Sequence, residues 1–205
     1  MVMKNLYAEQ WRLFKTKYGI HFLWIFILFF LSGLTAYFYL LRDEKLLVIL
    51  AKWVTAMFNQ KDIAHLDAQT GELAFGLFWN NSVACLLIFL SGFIPIFLPT
   101  LGIICFNGAI IGIIMAYLKF NGNSVMEFLL AGVVPHGIFE IPAIILAGAL
   151  AVTITLGVYQ KLDNRRFPLK SVILDALKTF LFVCLPLLLI AALVESFVTP
   201  LFLGV

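Results

Sequence analysis

The sequence predicts an all-α, polytopic membrane helix bundle of about five transmembrane helices. Of the 205 residues, 63% are hydrophobic and 12% are charged, and the mean hydropathy is +1.05, which lies far outside the composition of soluble domains. Several apolar runs exceed the roughly 18 residues needed for a spanning helix. None alternates apolar and polar residues as a membrane barrel strand does, so the bilayer requires α-helices. We expect one membrane domain, residues 1–205.

Five spans are predicted, at residues 20–41, 75–96, 101–118, 129–159 and 172–198. The first follows a cytoplasmic lead, residues 1–19, and has no small-residue cleavage site, so we expect it to be retained. Basic residues favour the cytoplasmic side. They cluster in the lead and between the last two spans, at Lys4, Arg12, Lys15, Lys17, Lys161, Arg165, Arg166 and Lys170. Five spans place both clusters inside, which predicts a multi-pass protein of the cell (cytoplasmic) membrane with a cytoplasmic amino terminus and an extracytoplasmic carboxyl terminus.

An extracytoplasmic segment, residues 42–74, separates the first two spans. Its apolar residues recur at helical spacing, which predicts an amphipathic outer-side helix. They are Leu46, Ile49, Leu50, Trp53, Val54 and Met57. Such a helix lies in the membrane interface or packs on the outer ends of the spans, and we expect a mixture of the two.

Small residues in the third and fourth spans predict close helix packing. Gly108 and Gly112 form a G-x-x-x-G pattern, and Ala143 and Ala147 repeat at the same interval, as does Ala151. Backbones approach closely where such residues share one helix face.

The fourth apolar segment is longer than one untilted crossing requires. It contains Pro135, Gly137 and Pro142. A proline inside a helix removes a backbone hydrogen bond and clashes with the preceding turn. We therefore expect a broken or kinked fourth helix, with the break near Pro135.

Two ionisable residues, His136 and Glu140, lie one helical turn apart in this segment. Ionisable residues at membrane depth are costly and commonly functional. The pair is interpreted either as a buried clamp that fixes helix register, or as a proton or ligand site. A metal or catalytic site is weakly supported, because only His21 and His65 remain as histidines and no third ligand is evident. The pair is thus a weak metal candidate, and no metal or other cofactor is expected.

Three asparagines at membrane depth, Asn80, Asn81 and Asn107, need partners on other helices. They are candidates for one polar network with His136 and Glu140, although Asn80 and Asn81 could instead mark the end of a span. Glu195, near the outer end of the last span, is expected to be solvated.

These residues carry a resemblance to a known family. Phe78-Trp79-Asn80-Asn81, Phe106-Asn107-Gly108 with Gly112, and above all Pro135-His136-Gly137-Ile138-Phe139-Glu140-Ile141-Pro142-Ala143 resemble the stage II sporulation protein M family. The resemblance covers residues 75–160. It points to Asn80, Asn81, Asn107, Gly108, Pro135, His136, Gly137, Glu140 and Pro142, without an agreed chemical role.

The resemblance implies a five-span inner-membrane protein. The best-known members act during engulfment in endospore formers, where they scaffold a peptidoglycan-degrading complex. Relatives beside circular-bacteriocin genes have suggested roles in peptide export, maturation or immunity.

Three functions follow as hypotheses. The first is a non-enzymatic scaffold of a sporulation cell-wall remodelling complex. The alternative is a transporter-like component that uses His136 and Glu140, and the third is an intramembrane metal-dependent peptidase. The chain shows no nucleotide-binding loop or hydrolase triad, so an enzyme is not favoured. Expected partners are the lipid bilayer, membrane or cell-wall hydrolase proteins and further copies of the chain; no nucleic acid is expected.

Overall fold

The computed structural model describes residues 2–59 and 69–203, and within them all regular structure is helical. The α-helices are α1 (Val2–Leu13), α2 (Gly19–Leu40), α3 (Glu44–Asn59), α4 (Gly71–Ser91), α5 (Leu98–Phe120), α6 (Val125–Glu127), α7 (Val134–Asp163), α8 (Leu169–Thr179), α9 (Leu185–Phe197) and α10 (Thr199–Leu203). Short π-helical segments join three of these pairs: Phe14–Tyr18, Phe128–Val133 and Phe180–Cys184. The all-helical prediction is confirmed for the described chain. Residues 60–68 of the predicted segment 42–74, with His65, lie outside it.

Five helical runs in the described chain are long and apolar enough to cross a membrane, as predicted. They are Asn5–Leu40, Gly71–Ser91, Leu98–Phe120, Val125–Asp163 and Leu169–Phe197. The first begins before the predicted boundary at residue 20, because the lead is itself helical and packed. Leu13 and Tyr18 are buried, and the Thr179 hydroxyl donates to Gln10 Oε1 at 2.6 Å.

Helix α7 occupies the centre of the bundle. About two thirds of its most apolar window (67%) is buried, against 22% to 33% in the other four runs. Ala143, Ala147 and Ala151 have no exposed surface, and α2, α4, α5 and α9 all contact α7. The other helices therefore turn much of their apolar surface outward, as lipid-facing helices do.

Helices α2 and α5 run side by side in the same direction with their backbones in contact. A methyl group on Gly108 would lie 2.2 Å from the Phe29 carbonyl oxygen, and one on Gly112 would lie 2.2 Å from that of Gly33. The G-x-x-x-G face of α5 thus contacts α2 rather than the alanine face of α7.

Helix α3 turns back along the side of the bundle. It begins near the end of α2, where Leu47 packs in one cluster with Leu40 and Ala116. Further along, the rings of Trp53 and Phe106 lie 5.7 Å apart in an edge-to-face arrangement. Phe106 lies about 21 Å from the end of α5 at a rise of 1.5 Å per residue. The amphipathic helix therefore packs against the flank of α5 and does not lie across the helix ends.

The predicted break at Pro135 is not confirmed. The backbone stays helical from Val125 to Asp163, with Pro135 in the first turn of α7 and Pro142 inside it. The π-helical segment Phe128–Val133 ends immediately before this turn. Its wider turns change the hydrogen-bond register where Pro135 has no N–H to donate, so the helix can continue through the proline.

Candidate functional site

The candidate site lies at the end of the bundle where α2 and α5 end and α4 begins, which we call the site end. Here the last turn of α9 is tied to the start of α4. The Ser196 hydroxyl donates to the Thr70 carbonyl at 2.8 Å, and the Gln69 N–H donates to the Ser196 carbonyl at 3.1 Å. Thr70 also caps α4, since its hydroxyl accepts the Leu73 N–H. These bonds hold α9 in a defined position at the site end.

His136 and Glu140 project from the first two turns of α7. Their four-residue spacing places them on one helix face, and His136 Nε2 lies 3.9 Å from Glu140 Oε2. The side chains are 15% and 21% exposed, respectively. They are therefore largely enclosed by protein but retain an opening to their surroundings.

Glu195 of α9 joins this pair. One nitrogen or oxygen atom from each of His136, Glu140 and Glu195 lies within 4.8 Å of the other two. All three residues are half-buried. Glu195 was expected to be solvated; the structure instead packs it against α7. The available signal was an acid that follows a long apolar stretch near the end of the span, because ionisable residues at membrane depth commonly mark functional sites.

Thr199, just after α9, faces the far side of the His136 ring. Its Oγ1 lies 3.5 Å from Nδ1, and the residue is buried. When Nδ1 carries the ring proton and donates it to this hydroxyl, Nε2 presents a lone pair toward Glu140. The arrangement resembles the orienting contact that a ligand histidine usually makes through its second nitrogen.

Two ionised carboxylates at this separation repel each other unless a proton or a cation lies between them, and a protonated imidazole attracts both. The cluster can therefore act as a polar clamp around a shared proton, as a proton-transfer site or as a cation site. A cation would receive one nitrogen and two oxygen ligands.

The asparagines of the predicted network make local bonds in the structure. Asn107 Nδ2 donates to the Ile103 carbonyl in its own helix at 2.8 Å, and Asn80 Nδ2 donates to Asn81 Oδ1 at 3.1 Å. Their connection to His136 and Glu140 remains a prediction.

Polar groups at the opposite end of the bundle, where α4 ends and α5 begins, are used in helix–helix bonds. Ser91 and Thr100 share a hydrogen bond of 2.6 Å between their hydroxyls. The Thr155 hydroxyl donates to the Gly92 carbonyl at 2.9 Å. These neutral pairs hold α4, α5 and α7 together.

Comparison with known proteins places the chain in one family. The model of the family described as stage II sporulation protein M matches residues 25–200. An uncharacterized protein of Methanocaldococcus jannaschii is 29% identical over 144 residues, which are 69% of this chain and 79% of that relative. Another uncharacterized protein of the same organism is 28% identical over 147 residues, which are 68% of this chain and 64% of that relative. No solved structure matches the chain. With the match extending over most of its length, this membrane helix bundle belongs to the stage II sporulation protein M family.

Proposed function

We propose that this chain is a non-enzymatic scaffold subunit of a membrane complex that remodels cell-wall peptidoglycan during sporulation and engulfment. The observation that carries the proposal is the shortness of the connections between helical runs in the described chain after residue 69. Between residues 69 and 203, the longest connection between successive helical runs, residues 92–97, holds six residues. Such connections leave no room for a separate catalytic domain in this part, so the long helices themselves would recruit partners.

The outward faces of these helices supply the binding surface. Large apolar side chains are exposed along the bundle, among them Trp24, Phe75, Trp79, Leu98 and Leu162. In a bilayer this surface contacts lipid tails and the spans of partner proteins. It would pack against those spans by complementary shape, with small residues allowing close approach of the helices. Cell-wall hydrolases anchored in the same membrane are the expected partners.

Co-purification of the hydrolases from cells with and without this chain tests the scaffold. We expect two hydrolase partners to co-purify only when the chain is present, since it holds them in one complex. The matched control is a chain with Glu72→Gln, which changes an exposed carboxylate of α4. Equal recovery of the hydrolases without the chain would rule out a scaffold role.

A second candidate is a transporter-like component for peptide export, maturation or immunity, of the kind found beside circular-bacteriocin genes. The convergence of His136 and Glu140 with Glu195 favours it, because ionisable groups gathered between helices commonly mark substrate or proton paths. The test is peptide export or protection in a His136→Ala, Glu140→Ala double variant that still inserts and folds. We expect loss of activity; wild-type activity in this variant would exclude the site from transport.

A further inference from the structure

We propose that His136, Glu140 and Glu195 bind a single divalent metal ion, with Zn²⁺ the best match. The proposal concerns the site alone and does not depend on either function given above. Its basis is that the three side chains offer one imidazole nitrogen and two carboxylates from two helices, all directed into one small volume.

The distances suit a metal ion after small side-chain rotations. In a tetrahedral zinc site, with metal–ligand bonds of about 2.0 to 2.2 Å, ligand atoms lie about 3.4 Å from each other. Here the ligand atoms lie within 4.8 Å of one another, and the His136 Nε2 to Glu140 Oε2 distance is 3.9 Å. Closing the largest separation to the tetrahedral value takes about 1.4 Å, which rotations about the glutamate side chains supply without moving either helix.

The backbone that carries the ligands is already held in place. His136 and Glu140 lie on the central helix α7, and Glu195 lies beside Ser196, which α4 holds through Thr70. Ligands on rigid, packed helices bind a metal with little ordering cost. A metal here would in turn join α7 to α9.

Thr199 supplies the orienting contact that a metal-binding histidine requires. With Nδ1–H directed at Thr199 Oγ1, 3.5 Å away, the Nε2 lone pair is free for the metal. Partners of this kind fix the ring orientation, and their removal typically weakens metal binding by about 10- to 100-fold.

The ligand set also indicates which ion fits. One imidazole and two carboxylates suit zinc and similar borderline ions, whereas Ca²⁺ takes six to eight oxygens and Mg²⁺ an octahedral shell of them. Two carboxylates and a neutral imidazole carry about two negative charges, which a divalent ion neutralises. Three protein ligands leave a fourth position, and the partial exposure of His136 and Glu140 gives an ion and its fourth ligand access.

Metal titration of the full chain tests the proposal. The protein is purified in detergent, stripped with EDTA and titrated with Zn²⁺ and separately with Co²⁺, and bound metal is counted by mass spectrometry. We expect one ion per wild-type chain, at least tenfold weaker binding in Glu195→Gln and His136→Gln, and visible Co²⁺ absorption bands of a four-coordinate site.

Two matched controls accompany these variants. Glu72→Gln changes an exposed carboxylate at the start of α4, and His21→Gln changes a histidine that bonds Thr153; both should bind metal as the wild type does. Equal Zn²⁺ affinity in wild type and Glu195→Gln would overturn the proposal. Zn²⁺ binding that is lost in the two control variants but kept in the ligand variants would overturn it as well. If a ligand variant does not fold, the wild-type Co²⁺ spectrum decides: no four-coordinate bands means no site.

Discussion

The two ends of the helix bundle carry polar side chains of different kinds. At the opposite end Ser91 pairs with Thr100, and Thr155 bonds the Gly92 carbonyl, so neutral groups satisfy each other between helices. At the site end a histidine and two glutamates converge within 4.8 Å. Neutral pairs carry no net charge, whereas a proton or a cation would stabilise two neighbouring carboxylates. Both ends use hydrogen bonds to join helices, so the clustered histidine and glutamates are what set the site end apart, and we propose a binding role for them.

Close backbone packing at the opposite end predicts the largest effect. A methyl group on Gly92 would lie 2.6 Å from the Ala151 Cα and 2.5 Å from its carbonyl oxygen, and a backbone neighbour cannot move aside cheaply. We expect Gly92→Val to lower the free energy of unfolding by about 3 kcal/mol or to prevent folding. Thermal unfolding and yield in detergent measure this.

Gly102→Ala is the control for Gly92→Val, because a methyl group there meets nothing within 4 Å. It should unfold at or slightly above the wild-type temperature, since alanine favours the helix. Equal destabilisation by both substitutions would remove the packing argument for this end.

At the site end, Thr199→Val removes the hydroxyl that faces His136 Nδ1 while keeping the side-chain shape. We expect about tenfold weaker Zn²⁺ binding, equal to about 1.4 kcal/mol, with the fold intact. Zn²⁺ titration measures the change in metal affinity, and a thermal melt in EDTA measures any change in the stability of the metal-free fold. Unchanged affinity would mean that Thr199 does not orient the ring.

Thr155→Val makes the same hydroxyl-to-methyl change at the opposite end. It leaves the buried Gly92 carbonyl without this donor, which should cost about 1 to 2 kcal/mol of stability and leave Zn²⁺ binding unchanged. Thr16→Val is the control, because its exposed hydroxyl donates to the Arg12 carbonyl in the same helical run and joins no two helices of the bundle. A change in metal affinity in Thr155→Val would show that the two ends are coupled.

The smallest effect belongs to the ion pair between Lys17 and Asp175, at 2.7 Å with side chains 41% and 18% exposed. Exposed pairs contribute about 0 to 1 kcal/mol and weaken with salt. Lys17→Ala should therefore change the melting temperature only slightly, and less at high salt. A loss as large as that of Thr155→Val would show that charge also holds this end together.

The sequence predicts the part of the fold that the solvent dictates. The apolar composition alone requires helices, and the lengths of the apolar stretches give the number of membrane-spanning helices, five. It does not predict that α3 turns back along α5, because the Trp53–Phe106 contact depends on tertiary packing. Nor does it predict the π-helical segment before Pro135, which replaces the expected break.

The sequence predicts two of the three residues of the candidate site, because only those two are close together in the chain. His136 and Glu140 are one turn apart in the chain, so local geometry brings them together. Glu195 lies 55 residues beyond Glu140 in the sequence, and only the packing of α9 on α7 makes it the third member. Sequence spacing alone gives the site two ligands and predicts that Glu195, near the outer end of its span, is solvated.

X-ray absorption at the zinc edge of the full chain, loaded with one equivalent of Zn²⁺, tests the functional assignment of the site end most directly. We expect a first shell of nitrogen and oxygen at about 2.0 to 2.1 Å, with scattering from one imidazole and no sulfur. A sulfur shell, or imidazole scattering that persists unchanged in His136→Gln, would contradict the proposed site.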